Sequence, residues 1–415
     1  MRVFQGITGS AGQPAALAKG LREYGVEARS TIIGTNKFSY VADNAVDCSS
    51  TDLVAIGRHM AEIADDYDVF HLHMRPFLYA HPNQFHFPTF WDLLTLKAAG
   101  KRVCFHFRGS EVRKASLFRA ANKFHYVDED HERLFAKFKE PSQEAYIEFI
   151  SAIADRIFVT DPELQSYVPG SIIIPRYFRL EEAINARPLR KEKPVVLHAP
   201  SRRGVKGTQF VLNAVDQLKN EGVEFEFKLI EGLTNSETLR AIADSDIIID
   251  QLRIGWYGVL AVEALALGRT VISYIRPDLV SSFGDGIAPI VNANPETIAD
   301  ALRGCVTQYK TRYEAARAGY EWFTRTHSTE AVVPLLISHY EDVIRSPKQI
   351  DIRAIQRLIE YQTALMNKSA RNSKFRPPAA MSLVERFRYV SNTDGIGAAT
   401  RATMRFLQRR MFRSS

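Results

Sequence analysis

Gly255-Trp256-Tyr257-Gly258-Val259-Leu260-Ala261-Val262-Glu263-Ala264-Leu265-Ala266-Leu267-Gly268 reads as a loop opening a very apolar helix that carries one acid. Residues 247–249 before it and 270–274 after it read as buried strands, so the segment is a strand–loop–helix–strand unit of a parallel sheet. A carboxylate in such a helix is costly unless it is paired or accepts good hydrogen bonds. Glu263 therefore answers to a structural salt bridge or to two hydroxyls of a ribose, and the residues leave both open.

Outward from this unit the same alternation continues. Strand-like runs at 195–198 and 224–230 share its half of the chain, with helices at 207–221 and 236–243. A first series has strands at 2–4, 68–72, 102–106, 156–160 and 171–174, separated by helix-like stretches such as 14–24, 53–65 and 90–99. The predicted class is α/β: two doubly wound, Rossmann-like domains facing across a cleft, with a basic helical tail. The expected boundaries are 1–185 and 186–328, with a charged linker over 181–193, a closing helix at 329–346 and a basic extension at 347–415. In the closing helix Val332, Leu335, Leu336 and Tyr340 share one face by helical spacing.

Composition agrees with a globular chain: 46% hydrophobic and 24% charged over 415 residues, enough for two domains of roughly 150–200 residues. No run of about 18 apolar residues marks a spanning helix, and residues 1–5 lead straight into a strand without a signal-peptide pattern. Cys48, Cys104 and Cys305 are odd in number and widely spaced, which reads as reduced thiols of a cytoplasmic protein rather than a disulfide framework or a zinc site. The net charge of +7 concentrates after Lys368, at Arg371, Lys374, Arg376, Arg386, Arg388, Arg401, Arg405, Arg409, Arg410 and Arg413. Such a tail suits anionic lipid or nucleic acid, and composition does not choose between them. Met404, Phe406, Leu407, Met411 and Phe412 among the arginines fit a basic amphipathic helix on a membrane surface, as equally a solvated end.

Chemistry is expected at strand ends, where loops and helix starts converge. Residues 6–14 (GITGSAGQP) follow the first strand; Gly9 and Gly12 let backbone approach a ligand, and Pro14 suits a first helical turn. His71 and His73 end one strand, and His106 ends another, followed by Arg108, Gly109, Ser110 and Glu111. Neither shows HExxH spacing or companion cysteines, so no metal site is expected. Residues 200–207 place Ser201, Arg202, Arg203 and Lys206 in a glycine-containing loop entering a helix, a pattern suited to a diphosphate.

Together, 200–207, 255–268, the glycine loop and the 68–73 strand end resemble the group 1 glycosyltransferases, a retaining branch of the GT-B fold, over about residues 1–345. The resemblance implies a cytoplasmic, metal-independent hexosyltransferase without a cofactor. It would take a nucleotide-diphosphate sugar and a glycan or lipid-linked acceptor in polysaccharide, lipopolysaccharide or capsule synthesis, peripheral to the inner membrane face through its tail, with no nucleic-acid partner. Glu263 matches the second glutamate of the family's E-x7-E motif, which implies hydrogen bonds to the ribose; the first falls on Gly255, where this sequence departs. Gly258 and Val259 match the helix start facing the diphosphate, and Gly255 and Tyr257 join the donor-binding loop. Arg203 (or Arg202) and Lys206 lie near the diphosphate clamp, and His106 is similar to the histidine beside the reacting sugar. His73, Arg108 and Glu111 are then acceptor-side candidates. The rival readings are a nucleotide-sugar 2-epimerase-like enzyme and a catalytically weak GT-B binding protein.

Overall fold

Short runs rich in Val, Ile and Phe, covered on both faces, become the strands of two all-parallel sheets. A computed structural model describes residues 1–34, 40–48, 52–78, 90–129, 140–179, 186, 188–283 and 289–372. The tail beyond 372, and residues 181–185 and 187 of the expected linker, lie outside the described residues. Met1–Leu358 form one compact unit. In the second, Ile359–Ser415, the described residues belong to the helix Ile352–Asn372.

The first sheet runs in the order β3-β2-β1-β4-β5-β6-β7, from β1 Arg2–Ile7, β2 Glu27–Ile33, β3 Asn44–Val46, β4 Val69–His73, β5 Arg102–Phe107, β6 Arg156–Val159 and β7 Ile172–Ile173. The second runs β12-β11-β10-β8-β9, from β8 Val195–His198, β9 Glu226–Leu229, β10 Ile247–Ile249, β11 Thr270–Ser273 and β12 Val291–Asn292. Strand order reverses between β1 and β4 in one sheet and between β8 and β10 in the other. Crevices open at such reversals, at the carboxyl ends of the strands. Thr8 and His73 stand at the first and Asp250 at the second.

The helix Thr329–Arg345 follows the second sheet in sequence, yet Val332, Val333, Leu336, Tyr340 and Val343 complete the core around Val3, Leu17, Leu21 and Phe158 of the first. Leu335 was expected on this face and is 40% exposed instead. At 100° per residue it falls about 100° from Leu336, outside the arc that holds the buried positions. A second link between the halves joins loops: Asn122 Nδ2 donates to the carbonyls of Arg253 (2.8 Å) and Ile254 (3.2 Å), and Arg253 pairs with Glu129 at 2.8 Å.

The helix carrying Glu263, Val259–Ala266, packs against Tyr309–Thr326, where Gly319 permits close approach. A Cβ at Gly319 would lie 2.5 Å from Leu265 Cδ2 and 3.1 Å from the Pro289 carbonyl oxygen. Alanine gains about 1 kcal/mol of helix propensity over glycine. Overpacking is nevertheless expected to win, leaving Gly319→Ala less stable by about 1–2 kcal/mol. Its urea midpoint should fall; a rise would show that the two helices part without cost.

Candidate functional site

Glu263 faces a cavity of ≈ 930 Å³ whose lining includes Ala11, Gly12, Tyr40, Thr234, Asn235 and Val259. Residues from the loop after β1 and from the helix starts of the second sheet therefore meet at one opening. Gly12 has φ +73, and a Cβ there would sit 2.9 Å from the Tyr40 ring, so this position requires glycine twice over. Gln13 fixes the helix start beside it, donating to the Tyr177 carbonyl (2.7 Å) and accepting from Tyr177 N (2.8 Å). Gly9 accepts from Gly12 N at 2.6 Å and shapes the turn without lining the cavity.

The carboxyl of Glu263 is 5% exposed as a residue and accepts from Asn235 Nδ2 at 2.9 Å. Burial pushes its pKa up to about 7, and the charge of Asp250 acts the same way; the Asn235 hydrogen bond and Lys206 oppose them. Burial, then the charge of Glu263, raises the Tyr40 hydroxyl. No cation of the described residues forms a salt bridge with Glu263 at 4.0 Å or less, and the residue lines the cavity. Asn235 escaped the sequence reading; the only signal was the capping pattern of Thr234 and Glu237 at its helix start.

At the start of Val259–Ala266, Lys206 Nζ donates to Asp250 Oδ1 (2.6 Å) and Gln251 Oε1 (2.7 Å), while Asp250 Oδ2 accepts from Gly258 N (2.5 Å). A Cβ on Gly258 would come within 3.1 Å of Lys206 Nζ. Lys206, Gly258, Val259 and Glu263 are thus brought together, and Asp250, unnoticed at the end of an apolar strand, is what orients the lysine. Arg203 is not part of this group. Its Nε and Nη2 both donate to Glu231, with 58% of the side chain exposed. Ser201 and Arg202 are exposed at the loop tip. Tyr257 sits in the core, its hydroxyl bound to His327 Nε2 (2.8 Å) and Trp322 Nε1 (3.0 Å). Gly255 has φ +96, and the stem of Arg276 fills the space beside it, 2.9 Å from a would-be Cβ.

In the first sheet His71, His73 and His106 are all buried and stacked on neighbouring strands, with ring nitrogens within 4.8 Å of one another. Burial first, and the Arg108 charge with it, drives all three well below the usual imidazole range. Three neutral imidazoles could hold a metal ion, but here a dication would share a dry site with a guanidinium and no carboxylate ligand. His106, expected beside a reacting sugar, is sealed at 0% exposure, and neither ring nitrogen has a hydrogen-bond partner among the described residues. Glu111 is also turned inward: its Oε1 accepts from the backbone N of Arg108 and of Gly109 (3.1 Å), holding the loop after β5.

No family model matches the chain, and no curated protein matches it. Among solved structures it is similar to a sucrose-phosphate synthase from Thermosynechococcus elongatus, with a TM-score of 0.55 and 12% identity, covering 83% of this chain and 100% of that one. A glycosyltransferase from Rickettsia africae gives a TM-score of 0.54 and 13% identity, covering 84% and 99%. Anabaena HepE, solved in complex with UDP-glucose, gives 0.54 and 9%, covering 82% and 99%. The likeness is one of fold: two parallel α/β halves of the GT-B type, as the sequence predicts.

The raised value of Glu263 has a consequence for stability. Its folded pKa of about 7 exceeds the ordinary 4.5, so the folded chain holds a proton that the unfolded chain releases between those values. Stability from this group is whole below pH 4.5 and declines as pH climbs to 7. Glu263→Gln, which cannot ionise, should therefore gain on the wild type by about 2–3 kcal/mol between pH 5 and 8, read by denaturant titration at each pH. A constant gap would mean that the carboxyl is already ionised at pH 5.

Proposed function

We propose that this chain is a glycosyltransferase that takes its sugar from a nucleotide-diphosphate donor and passes it to a glycan or lipid-linked acceptor. One observation carries the reading: a buried carboxylate, a glycine turn and the start of Val259–Ala266 line one cavity, and Lys206 is held beside Gly258 at that helix start. In this reading Glu263 accepts from the ribose hydroxyls while Asn235 holds its other face. The diphosphate lies against the start of Val259–Ala266, where helix amides and Lys206 favour negative charge. That charge grows on the leaving nucleotide as the glycosidic bond breaks, so positive groups fixed in advance lower the barrier. Lys206 is fixed in this sense by Asp250 and Gln251. Closure over the cleft would exclude water and limit donor hydrolysis. Retention at the sugar carbon and independence from a metal belong to the same proposal and rest on the resemblance of the motifs.

A thermal-shift series with UDP, GDP, ADP and TDP tests it, because a ligand that binds only the folded chain raises the melting temperature by mass action. One nucleotide should stabilise the wild type, and Glu263→Ala and Lys206→Ala should each weaken it by about tenfold to a hundredfold. Hydroxyl donors favour the ionised carboxylate, so affinity should rise as pH passes through about 7 and stay flat in Glu263→Gln. If no nucleotide stabilises the wild type at millimolar concentration, the reading is wrong.

A further inference from the structure

Arg108 is half-buried, and no carboxylate of the described residues lies at salt-bridge distance from its guanidinium. It follows β5 at the carboxyl end of the first sheet. Its guanidinium meets a neutral imidazole: Nη2 lies 2.8 Å and Nε 3.3 Å from His73 Nδ1. Nη1 is buried with no hydrogen-bond partner among the described residues. Glu111, three positions on, directs Oε1 to backbone amides, and its Oε2 is buried with no hydrogen-bond partner among the described residues. Burial, and then the like charge of Arg176 on another element, lowers the Arg108 pKa to about 9, against the opposing charge of Glu111. Arg176 already has a partner in Asp161, at 2.7 Å.

The surroundings hold this guanidinium in one orientation. A guanidinium has no lone pair to offer, so His73 Nδ1 must be the acceptor and Nε2 must carry the proton. Nε2–H then donates to Gln5 Oε1 (2.8 Å), and Gln5 Nε2 donates to the Tyr340 oxygen (2.7 Å). The Tyr340 proton goes on to His71 Nδ1 (2.6 Å). Residues on β1, β4 and the helix Thr329–Arg345 thereby aim a charged fork whose remaining arm has nothing to bind. Buried donors left without acceptors are rare, because each forfeits its hydration.

We propose that Arg108, with Arg176 beside it, binds an anionic group of the acceptor, a phosphate or a carboxylate. The inference rests on the nucleotide-sugar reading for the identity of the acceptor, and on the unpaired guanidinium for the charge. A phosphate or carboxylate would bring oxygens to Nη1 and offset the repulsion between the two arginines. His73 is then a positioning residue for Arg108.

Inorganic phosphate and acetate, titrated separately into the full chain with and without UDP, test this by calorimetry. Phosphate should bind the UDP-loaded protein as well as the free one, and Arg108→Gln should weaken it by about tenfold or more while leaving UDP affinity unchanged. Acetate binding with the same dependence on Arg108, and phosphate weaker than acetate, would assign a carboxylate. Phosphate that competes fully with UDP lies at the diphosphate position, and the proposal then fails; this arm needs no variant. The proposal also fails if UDP binds and neither anion does, or if Arg108→Gln stays folded and binds phosphate unchanged. Anion binding without any nucleotide binding would leave the Arg108 site standing and overturn the donor reading instead.

Discussion

Parallel strands covered on both faces leave their ends as the main place for polar chemistry, and this constraint organises the molecule. Lys206 and Asp250 follow β8 and β10, while Thr8, His73 and Arg108 lie at the ends of β1, β4 and β5. Polar groups that do enter the sheet interior are obliged to satisfy one another. Gln5, His71, His73 and Tyr340 form a chain with a single direction of donation, set by Arg108, which cannot accept. His71 Nε2 and both ring nitrogens of His106 are buried without a hydrogen-bond partner among the described residues.

The donor side follows a related logic, in which a costly group is kept because of what surrounds it. Glu263 is buried in an apolar helix, yet its supports are an amide and a lysine that reaches it only as a charge. A salt bridge would have ended its availability. The sequence left two explanations open for this acid; among the described residues no cation lies at salt-bridge distance from it, and Asn235 donates to it. Lys206 is arranged in the opposite way, tied to Asp250 and Gln251 so that its ammonium stays beside Gly258.

How much of this was legible depended on whether the cause was local. β8 and β10 were read to the residue, because buried parallel strands are continuous apolar runs. β2, Glu27–Ile33, was missed: Glu27 and Arg29 interrupt its apolar pattern, and only pairing with β1 makes it a strand. The helix at 259–266 and its acid were plain from composition, and Lys206 from its loop. The fate of Arg203 was not, since its partner Glu231 lies 28 positions away on another loop. Nor could the burial of His106 or Tyr257 be seen, because a histidine or tyrosine at a strand or helix end reads alike whether the space beyond is open or filled.

The return of Thr329–Arg345 to the first half bears on how the chain is made. A ribosome releases β1 to β7 long before Val332, Val333, Leu336, Tyr340 and Val343 exist to cover that sheet. The first half to emerge is therefore the later one to finish its core, while the second sheet has its apolar partners close in sequence. Between those moments the nascent chain presents the uncovered face of β1 and β4, with Gln5 and His71 lacking the tyrosine that joins them. Its vulnerability to aggregation or chaperone capture is thus greatest midway through synthesis and ends with a single late helix.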